Sequence, residues 1–396
     1  MGTQNKKKII NDPVYGFINI PGEDIYELVM SPVLQRLRRI KQLGLSNLVY
    51  PGAEHSRFSH SLGAMYLMIQ ALEVLKQKGV EINEEEYNGT LIAILLHDAG
   101  HSPFSHCLEH FFFDCSHEEL SLKFMQKLGV DETAQRIFND TYHKRFLHQL
   151  VSSQVDTDRL DYLTRDSFFT GVSEGVIGTE RILKMFNVCD DELMVDEKGI
   201  YSIEKFIISR RLMYWQVYMH KTVVAADNLM VKVLTRARDL QAEGGLSLRD
   251  YPVSSHLSYF LEKGVRSIGD EEAIRHYLLL DDSDVWSSVK TWSLHKDRIL
   301  SFLATSLMNR SLGKIIISDK AFDEEQKSRL CRYESEEEKR YFTASDKLHN
   351  KAYNFSDTGI NILFKDGSVK EICEASDQLD RNFLSKEICK YFYYQI

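Results

Sequence analysis

Proline is the residue whose distribution most limits what this chain can fold into. Only six prolines occur in 396 residues, and four of them lie before residue 60. Because proline interrupts helices, long later stretches are free to be helical. The segment from Glu204 to Leu240 has few turn residues and many apolar positions, which predicts a long helix over about 203–240. The chain is therefore expected to be mainly α-helical.

Other segments repeat apolar residues at helical spacing. Shorter helices are predicted at about 59–79, 86–99, 117–128, 147–166, 270–280 and 283–308, with a charged helical face at 323–340. An apolar stripe from Leu28 to Ile40 predicts a further helix, for which Ser31-Pro32 is a suitable start and Gly44 a suitable end.

Strand patterns lie near the two ends of the chain. Residues 8–24 predict a short strand or hairpin, Lys314–Ser318 predicts a strand, and Asp366-Gly367 is a hairpin signal. Gly244-Gly245 marks a local break. We expect a helical catalytic domain at 1–240, a helical extension at 241–310 and a small C-terminal α/β unit at 311–396.

Charge and cysteine content narrow the class of protein. Lys and Arg number 49 and Asp and Glu 58, so the formal net charge is 49 − 58 = −9. This balance argues against broad nucleic-acid binding. No run of about 18 apolar residues predicts a membrane span. The six cysteines include no CxxC pair, which favours reduced thiols and a cytoplasmic location.

Histidine is concentrated in one part of the chain. Seven of the fourteen histidines lie within residues 55–117. The densest part is an apolar helix that ends in His97-Asp98, followed by His101 and His106. Adjacent helical residues point about 100° apart, so His97 and Asp98 can offer a nitrogen and an oxygen to one cation. An aspartate is otherwise a poor choice for a helix C-terminus.

Two more ligands are needed for such a cation. His60 stands at the start of a helix with an apolar face, and Asp158 and Asp161 lie three positions apart in a helical segment. Residues three apart share a helix face. Taken alone, the two aspartates are better explained by a salt-bridged surface helix.

Four segments follow one another in a recognisable order, namely Lys8–Gly16, Gln35–Gly44, Tyr50–Gly63 and His97–His106. They resemble the HD superfamily of metal-dependent phosphohydrolases, whose signature is H…HD…D. The closest resemblance is to the deoxynucleoside triphosphate (dNTP) triphosphohydrolases, in the branch that includes enzymes with a sterile alpha motif, although no such motif is evident in this sequence. The resemblance covers roughly residues 8–240.

The resemblance implies a role for individual residues. It implies metal ligation by His60, His97, Asp98 and Asp158; catalysis over the α-phosphate by His101, His106 and His117; and substrate binding by Gln42, Leu43, Arg57, Arg159, Tyr162, Asp166, Arg210 and Tyr218. It also implies an allosteric nucleotide site at Lys8, Asn11, Gln35 and Arg38. Met30 replaces the aspartate that reads guanine in that branch, so guanine-specific activation is not expected.

The implied reaction is dNTP plus water giving deoxynucleoside and inorganic triphosphate. Arginines suit phosphate oxygens because they donate in pairs. A histidine can protonate the leaving 5′-oxygen; His106 is our first choice, with His117, which precedes Glu118-Glu119, in support. Tyr218 is expected to exclude ribose.

The expected cofactor is one divalent metal per site (Mn, Fe, Mg, Zn or Co), with further Mg on the triphosphate. Expected partners are the dNTP, an activating nucleotide and further copies of the chain in a dimer or tetramer, but no membrane. Two alternatives stay open. One is an HD phosphohydrolase acting on a nucleoside monophosphate or signalling nucleotide, and the other is a nucleotide sensor without turnover.

Overall fold

The structure is a computed structural model that describes residues 8–247, 250–351, 353, 359–379, 381 and 387–396. The prediction of a mainly α-helical fold with a small C-terminal α/β unit is confirmed. Within the described ranges, no helix is both long and apolar enough to cross a membrane.

Helices form most of the first 242 residues. Their bounds are α1 Glu23–Met30, α2 Pro32–Arg36, α3 Arg57–Gln77, α4 Glu84–Leu96, α5 Glu109–Phe112, α6 His117–Lys127, α7 Glu132–Phe138, α8 Arg145–Val151, α9 Thr157–Thr170, α10 Thr179–Met185, α11 Ile200–Met213 and α12 Lys221–Ala242. The later helices are α13 Ser255–Lys263, α14 Glu271–Tyr277, α15 Asp282–Trp292, α16 Arg298–Met308, α17 Glu324–Leu330, α18 Glu336–Phe342 and α19 Ile372–Ala375.

The strands belong to three small sheets. Their bounds are β1 Lys8–Asp12, β2 Gly16–Ile20, β3 Phe186–Cys189, β4 Glu192–Asp196, β5 Lys314–Ser318, β6 Thr343–Lys351, β7 Asn361–Leu363, β8 Val369–Glu371 and β9 Glu387–Gln395. β1 and β2 form the predicted antiparallel hairpin, and β7 and β8 form the hairpin predicted around Asp366-Gly367. The remaining sheet has the order β5-β9-β6.

Several helices predicted as continuous are interrupted. The predicted 147–166 helix is α8 and α9, and the predicted 283–308 helix is α15 and α16, because Asp156 and Asp297 accept hydrogen bonds from backbone N–H groups and start new helices. The predicted 203–240 helix is broken by a π-helical turn at Tyr214–Tyr218 and a new start capped by His220.

Two shorter predicted helices are also divided. The 323–340 segment is α17 and α18, and the helix predicted to run up to Gly44 is α1 and α2, the second of which ends at Arg36. Ser31 caps α2 by accepting from the N–H of Leu34, as its position before Pro32 suggests. Gly44 lies in a turn at φ 50° rather than at a helix end.

Two apolar cores organise the packing. In the first core, α3 packs between α4 and α9, and this contact positions the candidate site. The second core joins α12 to α13–α16 and to the β5-β9-β6 sheet. β7 leaves the C-terminal region to pair in parallel with β4, so residues after 311 contribute to both cores. The domain boundaries at 240 and 310 stay a prediction.

Candidate active site

Two histidines and two aspartates meet where α3, α4 and α9 pack together. His60 Nε2 lies 3.2 Å from His97 Nε2, 3.0 Å from Asp158 Oδ1 and 3.6 Å from Asp98 Oδ2. His97 Nε2 lies 3.3 Å from Asp98 Oδ1 and 3.4 Å from Asp158 Oδ1. A divalent cation with bonds of about 2.0–2.2 Å holds neighbouring ligand atoms roughly 3 Å apart. His60, His97 and Asp158 therefore converge at a spacing that suits one cation. Asp98, the fourth predicted ligand, lies beside both histidines.

The hydrogen bonds of the two imidazoles favour a cation. His97 Nδ1 lies 2.7 Å from the carbonyl oxygen of Ile94, to which it can only donate, and His60 Nδ1 lies 2.7 Å from Asp161 Oδ2. Each neutral ring then directs its Nε2 lone pair towards the other, which is unfavourable unless a positive charge lies between them. Burial lowers the pKa of His60, but Asp158 and Asp161 raise it to about 10, so the site stabilises positive charge.

The donor set of two imidazoles and two carboxylates fits a divalent transition metal or magnesium. Burial raises the pKa of Asp158, but His60 and His97 hold it well below its ordinary value. Burial raises the pKa of Asp98 as well, while Arg57 and His97 lower it further than burial raises it. Both carboxyls are therefore held in the ionised form that metal binding requires.

A cavity of about 790 Å³ opens above this cluster. It brings together most of the predicted site residues. Those in its wall are Gln42, Leu43, Arg57, His97, Asp98, His101, His106, His117, Asp158, Arg159, Tyr162, Asp166 and Tyr218. His60 is buried beneath His97, and Arg210 is not among the residues that line the cavity.

The three predicted catalytic histidines form one group beside the cluster. The ring centroid of His101 lies 3.9 Å from that of His117 and 4.9 Å from that of His106. The chain reaches this arrangement through a turn in which Phe104 and Ser105 both have φ 57°. Gly100 is required here, because a Cβ atom would lie 2.1 Å from the carbonyl oxygen of His117.

Glu109 joins two of these histidines. Its carboxylate accepts from His106 Nδ1 at 2.9 Å and from His117 Nδ1. Burial raises the pKa of Glu109, but His106 and His117 together hold it well below its usual range. The pKa of His101 is lowered well below its ordinary value, mainly by burial and secondly by the charge of Arg57. His101 is therefore neutral.

Asp166 is fixed at the other side of the cavity. Its two oxygens lie 2.8 Å from His55 Nε2 and from the hydroxyl of Tyr218, which donates to Asp166. The π-helical turn, which adds a residue to the ordinary helical turn, brings both Tyr214 and Tyr218 into the wall. The Oε1 atom of Gln42 is buried without a protein partner, so it is free to meet a ligand.

The predicted phosphate-binding arginines have different surroundings. Arg57 donates to Asp98 Oδ2, and its Nε donates to Ser105 Oγ at 2.8 Å. Arg159 Nε donates to the carbonyl oxygen of Ser153 at 2.6 Å, which directs the guanidinium along the cavity wall. Arg210 lies 6.0 Å from the Tyr214 ring centroid, and its Nε is buried without a partner.

The four predicted allosteric positions lie around the N-terminal hairpin and α2. Arg38 Nε donates to Gln35 Oε1 at 2.8 Å, and the Lys8 ammonium lies 4.1 Å from the Tyr26 ring centroid. Asn11 pairs with Phe17 across the hairpin. The side chains of Lys8, Gln35 and Arg38 thus have local partners, and the allosteric role of the four positions stays a prediction.

Sequence reasoning missed three contacts of the site, although it had considered Asp161 as a possible ligand. These are Asp161 on His60, Glu109 between His106 and His117, and His55 on Asp166. Glu109 follows His106 by three residues in the sequence, a spacing that brings side chains together on a helical turn. The pairings of Asp161 and His55 join distant segments and had no such signal.

Two family models match the chain. The HD domain matches residues 57–166, and the HD associated region matches residues 177–251. These ranges contain the four-ligand cluster and the tyrosines of the π-helical turn.

Known proteins with a similar sequence or fold support the same grouping. The chain is 32% identical over 396 residues to the uncharacterized protein YwfO of Bacillus subtilis, covering 95% of this chain and 89% of that protein. It is 30% identical over 260 residues to the deoxynucleoside triphosphate triphosphohydrolase SAMHD1 homolog of Dictyostelium discoideum, covering 59% of this chain and 50% of that protein. A phosphohydrolase crystal structure from Bacteroides thetaiotaomicron matches with a TM-score of 0.93 and 45% identity, over 99% of this chain and 100% of that one. The chain therefore belongs to the HD-domain phosphohydrolases.

Proposed function

We propose that this chain is a metal-dependent dNTP triphosphohydrolase, which converts dNTP and water to deoxynucleoside and inorganic triphosphate. The observation that carries the proposal is that three members of the four-ligand cluster and the glutamate-linked histidine group line one cavity, and that the two sets meet at Asp98. The resemblance to enzymes named as dNTP triphosphohydrolases supports the substrate.

The metal held by His60, His97, Asp98 and Asp158 would supply Lewis-acid activation and neutralise phosphate charge. Arg57 and Arg159 bind oxygens of the triphosphate. Water forms the new bond to the α-phosphorus while the bond from that phosphorus to the 5′-oxygen breaks. His106 donates its proton to the departing 5′-oxygen, the attacking water releases a proton to solvent, and His106 takes a proton back from solvent. Glu109 orients His106 and His117 through their Nδ1 atoms.

His101 is assigned a different part. Because it is buried and neutral, it serves as a fixed wall of the α-phosphate site and not as the acid. Its Nδ1 lies 3.2 Å from Asp98 Oδ1, so it links the histidine group to the metal ligands.

The opposite end of the cavity is proposed to hold the nucleoside. Asp166 accepts from the 3′-hydroxyl, Tyr162 and Tyr218 enclose the sugar, and Gln42 and Leu43 lie beside the base. The tyrosine rings are 6.1 Å apart between centroids and nearly perpendicular, and Tyr218 is the ring proposed to exclude a 2′-hydroxyl. Arg210 is proposed to reach the γ-phosphate, which requires its side chain to turn into the cavity.

A second candidate function is an HD phosphohydrolase that acts on another nucleotide. The phosphohydrolase name of the Bacteroides structure is compatible with either substrate. A monophosphate would not need both Arg57 and Arg159, so the wall of the cavity favours a polyphosphate. A nucleotide sensor without turnover is disfavoured because its metal ligands would have no reason to be complete. An activating nucleotide and a homo-oligomer remain parts of the proposal.

The test is an incubation of the metal-reconstituted protein with each dNTP, alone and in pairs, followed by ion-exchange separation of the products. Inorganic triphosphate and deoxynucleoside, absent with Asp98→Ala, are the expected products. Activity only in mixtures would identify an activator. Release of pyrophosphate or single phosphate would show that a different bond of the triphosphate is cleaved. Turnover of monophosphates alone would favour the second candidate.

A further inference from the structure

A chain of buried charges connects the N-terminal hairpin to a metal ligand. Arg165 pairs with Asp161 through Nε to Oδ2 at 2.9 Å and Nη2 to Oδ1 at 3.1 Å. On its other side it donates from Nη1 to Asp12 Oδ2 at 2.8 Å. Asp161 Oδ2 in turn accepts from His60 Nδ1 at 2.7 Å. Asp12 is the last residue of β1, so the connection runs from the hairpin to His60.

Every member of this chain is removed from solvent. The relative exposure is 0% for Arg165 and Asp161, 1% for His60 and 5% for Asp12. Buried charges that lack a partner are costly, so each group depends on its neighbour. The charges of Asp12, Arg165 and Asp161 sum to −1, and this charge is directed at the Nδ1 side of His60.

The neighbouring helix is shaped to admit this arrangement. Gly63 lies within α3, where a Cβ atom would stand 2.0 Å from Asp161 Oδ1 and 2.2 Å from Arg165 Nη2. Glycine is a poor helix former, so its presence there is explained by the space that the ion pair needs. α3 thus carries His60 and, one turn later, the opening for the pair that orients it.

Asp12 is itself fixed by the turn that follows β1. Its Oδ1 accepts from the N–H of Val14 at 2.9 Å and of Tyr15 at 3.0 Å. The Arg165 guanidinium lies 5.5 Å from the Tyr15 ring centroid. The position of the Asp12 carboxylate therefore depends on the hairpin keeping its turn.

We propose that Asp12 and Arg165 are positioning residues through which the N-terminal hairpin sets the orientation and charge of the Asp161–His60 pair, and so the affinity of the metal site. This rests on the proposed metal centre. Without Asp12, Arg165 would be balanced by Asp161 alone, which would withdraw charge from the Nδ1 hydrogen bond and make His60 a weaker ligand. A displacement of the hairpin would have the same effect.

The experiment compares metal binding by full-length wild type, Asp12→Asn and Arg165→Lys. The matched control is Asp297→Asn, which lies far along the chain. It removes the charge of a largely buried carboxylate that pairs with an arginine, since Arg236 Nη2 lies 2.7 Å from Asp297 Oδ2. The dissociation constant is measured by titration with Mn²⁺ and with Zn²⁺ alone. The melting temperature is measured with and without metal, because a ligand bound to the native state raises it.

Asp12→Asn is expected to raise the metal dissociation constant about tenfold, the lower end of effects from groups that support a ligand. Arg165→Lys keeps the charge but loses the paired hydrogen bonds, and a rise of roughly threefold is expected. Asp297→Asn should lower the melting temperature without changing the metal-induced shift. Should Asp12→Asn fail to fold, Arg165→Lys still decides the question.

Wild-type affinity in both folded variants would overturn the inference and leave the proposed function standing. A wild type that binds neither ion would overturn the metal centre and the inference together. An equal rise of the metal dissociation constant in Asp297→Asn would show a general effect of lost stability, and it would also overturn the inference.

Discussion

The metal cluster (His60, His97, Asp98 and Asp158) and the histidine group (His101, His106 and His117) lie at one cavity, yet their imidazoles are held in different ways. In the metal cluster, His60 is 1% exposed and bonded on its far nitrogen to Asp161, which Arg165 fixes in turn. In the histidine group, the His106 side chain is 66% exposed and is held by Glu109. His60 is thus fixed by a buried ion pair on the side away from the cavity, whereas His106 is fixed by a single carboxylate.

This difference corresponds to two chemical tasks. A metal ligand must present its lone pair in one direction, so that rigid support is favourable. A proton donor must exchange its proton with solvent between turnovers, so that exposure is favourable. Asp98 is in contact with both regions, through His97 at 3.3 Å and His101 at 3.2 Å.

The largest effect is expected from removing Asp98. Asp98→Ala takes away a proposed metal ligand and the partner of Arg57, which is then left buried beside the cavity without its carboxylate. We expect loss of metal binding and a fall in kcat of at least about 10³-fold. Bound metal and turnover of dNTP are the measurements, with the exposed Asp114→Asn as control. Metal retained at wild-type affinity would contradict the assignment of Asp98.

Removing the exposed histidine should separate the two regions. His106→Gln is expected to lower kcat by about 10²–10⁴-fold, the usual contribution of a general acid, while metal affinity stays unchanged. Metal titration and turnover are measured on the same preparation. The exposed neighbour His110→Gln should behave as wild type. If His106→Gln lost metal as well, the two regions would have to be treated as one unit.

Glu109 gives a smaller and more specific effect. Glu109→Gln keeps an acceptor oxygen but removes the charge that holds two Nδ1–H groups, so a fall in kcat of about 10- to 100-fold is expected. Glu118→Gln is the matched control, because that side chain lies 3.5 Å from His117 Nε2 but is 60% exposed. Equal effects in the two variants would show that Glu109 has no special role.

The comparison also explains what could be predicted from the sequence. The mainly helical fold followed from proline scarcity and apolar spacing. The proposed metal ligands were chosen because they are histidines and aspartates that stand close together in the sequence or match a family pattern. Interruptions such as Asp156 and Asp297 were not predicted, because a capping aspartate inside an apolar pattern is easily read as a solvent-facing helical residue. Supporting residues were missed where the partners are distant. Asp12 and Arg165 are 153 positions apart, and no local pattern indicates that pairing.

Another carboxyl in the cavity wall forms no salt bridge with a cationic side chain or a histidine of the described residues. Asp227, on α12, lines the cavity, and burial raises its pKa to about 7, with only Cys107 acting in the other direction. An unfolded aspartate has a pKa near about 3.9, so the native state binds the extra proton between these values. Stability from this group is therefore present at low pH and lost as pH rises through 7. Partnered carboxyls such as Asp98 and Glu109 are held ionised instead.

Asp227→Asn removes this dependence while keeping the size of the side chain. From pH 5 to pH 8, the free energy of unfolding of wild type should fall relative to the variant by about 1 kcal/mol, a value reduced for water in the cavity. Urea unfolding at several pH values, in chelator so that metal does not contribute, measures the difference. Asp114→Asn, at an exposed position, should give a difference that does not vary with pH. Parallel curves for wild type and Asp227→Asn would mean that the cavity is wet enough to keep Asp227 ionised. The contrast with the carboxyls paired to arginine or histidine would then disappear.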